Sequence, residues 1–384
     1  MKFLFISRAM GCYWGGTENY EFSLAQHLVR VGHEVDFLIG APLVKRIQNL
    51  NKISDFSYHV IKSPFLKDIS QKFYSWRFDK IAFNIFRLDN YLFSVGCFQT
   101  FKSILNDNYD VIQISGQVDL AYLIKKYLIK KKINSKVFLF FPGMPDIRKV
   151  NLIKAIDGVF TDGYAYYILK EIHPHCQLIY GGIYDKINFS IIGRKKIRNK
   201  FGISDTEKLI IMVNRLVYLK GLSVAIDIVK ILKNKYKKFK LLIVGDGPDR
   251  KRILRDVKNY NLGNIILMSG QVQIDKISDY YSAGDIFMCT SFYDNFPNSI
   301  KEAFRIGLPV VASKNSGIEM QVVDGENGFL CQTISDYVNK IVLLLSDDLL
   351  RKKISKNNIR KAINKYNWNK SIKKYIKFIN YHNK

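Results

Sequence analysis

Apolar residues run almost unbroken through KFLFIS near the start of the chain, give way to the glycine-rich stretch GCYWGGTE, and return at helical spacing at Phe22, Ala25, Leu28 and Val29. A short apolar run bounded by turn residues is the pattern of a buried strand, whereas recurrence every three or four residues predicts an amphipathic helix. EVDFLI then reads as a second strand. The rhythm recurs at DVIQIS, KVFLFF and GVFTD, which predicts a parallel sheet covered by helices.

After GGIYDKINF and the basic segment IIGRKKIRNK the rhythm starts again, with KLIIMVNR, a helix over Leu222 to Lys235, then KLLIVGDG, NIILMSG, DIFMCTS and PVVAS. Two Rossmann-like halves are expected, 1–188 and 189–367. In the tail, Ile372, Tyr375, Ile376 and Ile379 recur at helical spacing with lysines between them, so 368–384 should close the chain as an amphipathic helix. No repeat of solenoid period is present.

Composition narrows the class. A chain of 384 residues suits two domains of about 150–200 residues, and 48% hydrophobic against 24% charged residues is the balance of a folded protein. Sixty Lys and Arg against 33 Asp and Glu give a formal charge of +27, which suits an acidic partner: nucleic acid, anionic lipid or nucleotide phosphate. Part of that charge, as in LIKKYLIKKKINSK, reads equally as a solvated helix face. No zinc spacing, RRM signature or KH-type loop accompanies it, so no nucleic-acid partner is expected. The five cysteines are scattered and unpaired in spacing, which argues against a disulfide framework or zinc and for a reducing cytoplasm. MKFLFIS is halted by Arg8 and no run approaches 18 apolar residues, so neither export nor a membrane span is expected.

In a doubly wound domain ligands bind beyond the carboxyl ends of the strands. Four segments there are unusual. GGTE (Gly15 to Glu18), after the first strand, is either a plain turn or a place where backbone and a helix N-terminus approach an anion. In VNRLVYLKG, Arg215 and Lys220 either clamp a diphosphate or are solvated cations. VGDGPDR resembles a dinucleotide fingerprint without its third glycine, which disfavours hydride transfer. In DNFPNSIKEAFRIGLPVVAS, Ser299 and Glu302 fit a capping box, while the helix start and the two acids Asp294 and Glu302 equally fit phosphate and sugar hydroxyls.

Taken together, Arg215 and Lys220 in NRLVYLKG, then GDGP, SGQV, the acid-x7-acid element running into EAFRIGLPVVAS, and DGENGFL resemble the retaining GT-B glycosyltransferases of family 4 (group 1). The resemblance covers the C-terminal half; GGTE and NWNKSIKKYIKF extend it more thinly to the rest. It implies two Rossmann-like parallel-sheet domains facing across a cleft, the closing helix 368–384 crossing back to the first. It implies that Arg215 and Lys220 bind the donor diphosphate, Glu302 the ribose and Asp294 the donor sugar, with Phe296, Pro297 and Asn298 meeting sugar and phosphates by backbone. Val272 would frame the base, and Gly16 would let the first-domain loop close on the phosphate. Asp294, Arg215 and Lys220 would carry the chemistry. Acceptor-side candidates are Thr17, Gln113, Ser115 and Gln117. The pattern departs from the family in Asp294, where Glu is commoner, in Asn214, where Gly is usual, and in the absence of His from DVIQISGQ.

The implied activity is hexose transfer from a UDP- or GDP-sugar, without cofactor or metal, to a glycan or lipid-linked acceptor in bacterial surface polysaccharide synthesis. Lacking D-x-D, the chain would neutralise phosphate with its basic pair. From Lys62 to Arg87, aromatics Phe65, Phe73, Tyr74, Trp76, Phe78, Phe83 and Phe86 interleave with Lys67, Lys72, Arg77, Lys80 and Arg87. That mixture fits either an anionic bilayer on the inner face of the plasma membrane or a core with solvated cations. A nucleotide-sugar epimerase of similar fold is the alternative; it would need no acceptor.

Overall fold

The computed structural model describes residues 1–8, 10, 15–42, 53–63, 79–105 and 108–381. The chain divides into two compact units, Met1–Gly182 with Trp368–Lys384, and Ile183–Asn367. The position near 188 at which the sequence rhythm restarts falls inside the second.

The first unit holds a seven-stranded sheet, β1 (Lys2–Ser7), β2 (Glu34–Pro42), β3 (Ser57–Ser63), β4 (Val111–Ser115), β5 (Lys136–Phe141), β6 (Gly158–Thr161) and β7 (Cys176–Leu178), in the order β3-β2-β1-β4-β5-β6-β7. Every pairing is parallel. Successive side chains of a strand point to opposite faces, and here the faces differ in kind. Leu4, Ile6, Ile112, Ile114, Val137 and Leu139 form an aliphatic face under helices Asp79–Ile104 and Val118–Lys131. Phe3, Phe5, Phe37, Phe138, Phe140 and Phe160 form an aromatic face. Helix Gly16–Arg30 covers that aromatic face with Tyr20, Leu24, Ala25 and Leu28, while Val29 turns outward instead of inward. Helix Trp368–Tyr381 joins it through Trp368, Ile372, Tyr375 and Phe378.

The second unit repeats the plan with six parallel strands, β8 (Lys208–Val213), β9 (Phe239–Val244), β10 (Ile266–Gly270), β11 (Ile286–Cys289), β12 (Val310–Ser313) and β13 (Gly328–Cys331), ordered β10-β9-β8-β11-β12-β13. Its core gathers Ile210, Met212, Leu241, Ile243 and Met288 against helices Leu222–Lys235 and Ile334–Ser346. Both units are thus Rossmann-like, the architecture of the GT-B fold. The basic segment IIGRKKIRNK is a helix, Ile191–Lys200.

Of the basic aromatic segment, residues 64–78 lie outside the described residues; Lys80 and Arg87 are exposed on helix Asp79–Ile104. Among the described residues no helix is long and apolar enough to cross a membrane.

Candidate functional site

In each sheet the strand order reverses once, between β1 and β4 in the first and between β8 and β11 in the second. At such a point adjacent strands send their following loops in opposite directions and open a crevice at their carboxyl ends. In the second unit, Arg215 and Lys220 follow β8, and Asp294 to Glu302 follow β11. Topology alone therefore brings the two charged segments together.

Backbone contacts hold the first part of the β8 loop against the β9 loop. Leu216 N–H donates to Asp246 O (3.0 Å) and Asp249 N–H to Leu216 O (3.0 Å). A Cβ on Gly245 would overlap the Asn214 carbonyl, and one on Gly247 the Leu216 carbonyl. The two glycines of GDGP let the β9 loop lie directly against the Arg215 loop. The loop ends in a single turn, Tyr218–Lys220, followed by Gly221 with φ +61°. A Cβ there would overlap the Thr290 carbonyl, while Thr290 Oγ1 donates to Lys220 O at 3.0 Å. Arg215 and Lys220 are both half-buried.

Both acids of the β11 segment have partners. Lys220 Nζ donates to Asp294 Oδ1 and Oδ2 at 2.6 and 2.8 Å. Tyr281 Oη, fully buried in helix Ile277–Ala283, donates to Glu302 Oε2 at 2.6 Å. Burial pushes the Glu302 carboxyl up from its ordinary value, and the Tyr281 bond partly offsets this. Burial likewise raises the Tyr281 phenol. The capping-box reading of Ser299 and Glu302 does not hold: the helix runs Asn298–Ile306, Pro297 is its N-cap, and no side chain caps it. Glu302 sits past its first turn and points to Tyr281 instead.

The loop between the acids is braced from behind. Gln321, wholly buried, donates from Nε2 to Pro297 O at 3.2 Å, and Asn315 Nδ2 to Ser291 O at 3.0 Å. A Cβ on Gly317 would overlap the carbonyl oxygen of Asp294. Lys301, only 2% exposed, lies over the rings of Phe296 and Tyr366 at 5.6 and 5.8 Å, a cation–π arrangement that fixes the buried Phe296. Asn298 opens the helix whose positive dipole end faces the loop. Val272 is half-buried in the turn after β10.

Sequence reasoning missed Tyr281, Gly317 and Gln321. Asn-Ser-Gly at 315–317 does carry a local signal, since Asn315 caps helix Ser316–Glu319 by accepting from Ile318 N–H. Tyr281 and Gln321 carry none, because their partners are distant in sequence.

In the first unit, Gly16 is exposed and Thr17 half-buried at the start of helix Gly16–Arg30, where Gly15 N–H donates to Glu18 Oε2 at 2.9 Å. Gln113 is wholly buried and its Oε1 accepts from Tyr375 Oη at 2.7 Å. Ser115 Oγ donates to Glu21, which also accepts from Ser7 Oγ at 2.6 Å. Gln117 Nε2 donates to Asn90 Oδ1 at 3.2 Å. Arg8 reaches both Asn90 and the buried Asp89. Among the described residues no group of three or more His, Cys, Asp or Glu is arranged to hold a metal ion.

Residues 193–361 match the family described as Glycosyl transferases group 1. The chain is 24% identical over 192 residues to N-acetyl-alpha-D-glucosaminyl L-malate synthase of Bacillus anthracis, 49% of each chain. It spans about half the length of the first curated relatives it matches. Among solved structures, the Anabaena protein HepE in complex with UDP-glucose superposes with a TM-score of 0.77 at 18% identity, covering 99% of this chain and 100% of the other. WaaG, a glycosyltransferase involved in lipopolysaccharide biosynthesis, superposes with a TM-score of 0.72 at 14% identity over 99% of both chains.

Proposed function

Because residues 193–361 match the group 1 glycosyltransferase family and the chain has the GT-B fold, we propose that it is a group 1 glycosyltransferase that moves a hexose from a UDP- or GDP-sugar to a glycan or lipid-linked acceptor, with retention at the anomeric carbon. One observation carries the reading: Lys220 and Asp294 are joined at the switch point of the second sheet, where a doubly wound domain binds its ligand, with Arg215 on the same β8 loop and Glu302 on the helix that follows Asp294. A neighbour of the same fold binds UDP-glucose, which supports a nucleotide sugar as the ligand.

Sugar transfer passes through an oxocarbenium-like state in which the bond from the anomeric carbon to phosphate oxygen breaks and negative charge grows on the leaving diphosphate. Arg215, Lys220 and the dipole of helix Asn298–Ile306 stabilise that charge, with backbone at Phe296, Pro297 and Asn298 placing sugar and phosphate. Asp294 accepts from hydroxyls of the donor sugar and Glu302 from the ribose, while Val272 lies beside the base. The acceptor oxygen attacks the face that the phosphate leaves, and the departing phosphate takes the acceptor's proton. Two cations do the neutralising that a divalent ion does elsewhere, so chelator should leave turnover intact.

On the first unit, Thr17, Ser115 and Gln117 mark the acceptor side, while Gln113, buried against Tyr375, would act only through the packing behind them. The +27 charge suits an anionic membrane surface carrying the acceptor, and WaaG's role in lipopolysaccharide synthesis favours a surface polysaccharide. A membrane contact predicts co-flotation with anionic vesicles at low salt.

The test is a thermal-shift screen of UDP-, GDP- and ADP-sugars, followed by transfer assays on the active donor. Arg215→Ala or Lys220→Ala should each lower turnover by about 100- to 1000-fold, the usual cost of removing one transition-state charge donor. Unchanged turnover in both variants, or conversion of the nucleotide sugar without acceptor as in an epimerase, would overturn the assignment.

A further inference from the structure

Lys220 and Asp294, which the proposed reading assigns to different parts of the donor, hold each other. Both carboxylate oxygens lie within 2.8 Å of Lys220 Nζ, and the side chains are 24% and 15% exposed. Their backbones are pinned rather than free to drift apart. Lys220 is fixed by the left-handed Gly221 against Thr290 and by the Thr290 hydroxyl on its carbonyl, and Phe292 N–H donates to Leu219 O at 2.9 Å. The Asp294 carbonyl rests on Gly317. Two of the contacts of the Lys220 ammonium are taken by this carboxylate, so a phosphate arriving at Lys220 meets Asp294 as a competitor for its charge and donors.

We propose that Asp294 competes with the donor's diphosphate for Lys220, and that donor binding is an exchange of partners. Phosphate replaces carboxylate on Lys220, and the released Asp294 turns its oxygens to the hydroxyls of the donor sugar. An intact nucleotide sugar restores at Asp294 what it removes. The bare nucleoside diphosphate left after transfer offers Asp294 nothing, so the carboxylate reclaims Lys220 and the product is expelled. Asp294 thereby makes the site favour donor over product, a specificity that neither charge has alone. The inference rests on the donor-site reading above and adds to it the order of events at Lys220.

Calorimetric titration of UDP and GDP into wild type, Asp294→Asn and Asp294→Ala separates the two. Removing the competitor should tighten the nucleoside diphosphate that wild type binds by roughly 3- to 10-fold, the range expected when a partly screened ion pair no longer holds the competent side chain back. Turnover should fall in the same variants. In a Lys220→Met background, Asp294→Asn should leave that affinity unchanged, since the coupling then has no second partner. If either folded variant, judged by an unaltered melting curve, binds the diphosphate no more tightly than wild type, the exchange is wrong while the donor site stands. If wild type binds neither diphosphate, both fall.

Discussion

Glu21 is a carboxyl group with no exposure to solvent, held between the hydroxyls of Ser7 and Ser115 at the switch point of the first sheet. Burial, with a smaller push from Glu18, raises it from 4.5 to about 8, although both hydroxyls pull the other way. Below about pH 4.5 the folded and unfolded chains both carry the proton. As pH rises from there to about 8 the unfolded chain releases it and the folded chain does not, so stability is lost across that window. Glu21→Gln should abolish that part of the dependence. The melting temperature of the variant relative to wild type should climb steadily between pH 5 and 8; parallel curves would refute it. The sequence gives no hint of this carboxyl. Glu21 reads there as one polar residue in an amphipathic helix, and Ser115, which defines its environment, lies 94 residues away.

At the scale of elements, continuous apolar runs were readable because both faces of a parallel sheet are buried, so KFLFIS, KVFLFF and KLIIMV need no partner to declare themselves. β3 and β7 escaped the same reading. SYHVIKS mixes His and Lys with its apolar residues, and CQL is three residues long, so only pairing with β2 and β6 defines them. The two acids of the second unit were legible as a spacing, but their partners were not, since Tyr281 and Lys220 arrive from other elements. The brace behind the loop was equally hidden, because glycine at 317 matters only once the helix Ser316–Glu319 is seen against Asp294 and Asn295. Gly317→Ala tests whether that brace sets the site. A methyl group would overlap backbone oxygen on the loop itself, so the loop must retreat. A displacement near 1 Å costs on the order of 100-fold in turnover. We expect that loss in kcat/KM with melting shifted far less than activity; full activity would mean the loop position is not limiting.

The molecule as a whole is one chain folded as two bodies, the second inserted into the first. Ile183 N–H donates to Tyr366 O at 3.1 Å, so the two ends of the inserted unit are clipped together and need no help from the flanking chain to stay close. Helix Trp368–Tyr381 then returns to complete the aromatic core of the first unit, where Gly182 leaves room for the Trp368 indole and Tyr375 reaches Gln113. Separate cores should melt as separate cooperative units, and the two perturbations argued above address them individually. A nucleoside diphosphate at 100 times its Kd stabilises the state that binds it by about 2.7 kcal/mol, and the second-unit residues proposed to hold it lie in Ile183–Asn367. Glu21 belongs to the other body. Differential scanning calorimetry should therefore show two transitions, one raised by nucleotide and insensitive to Glu21→Gln, the other displaced by Glu21→Gln and insensitive to nucleotide. A single transition moved by both would show that the two cores do not unfold independently, and nucleotide acting only on the Glu21 transition would place the donor site in the wrong unit.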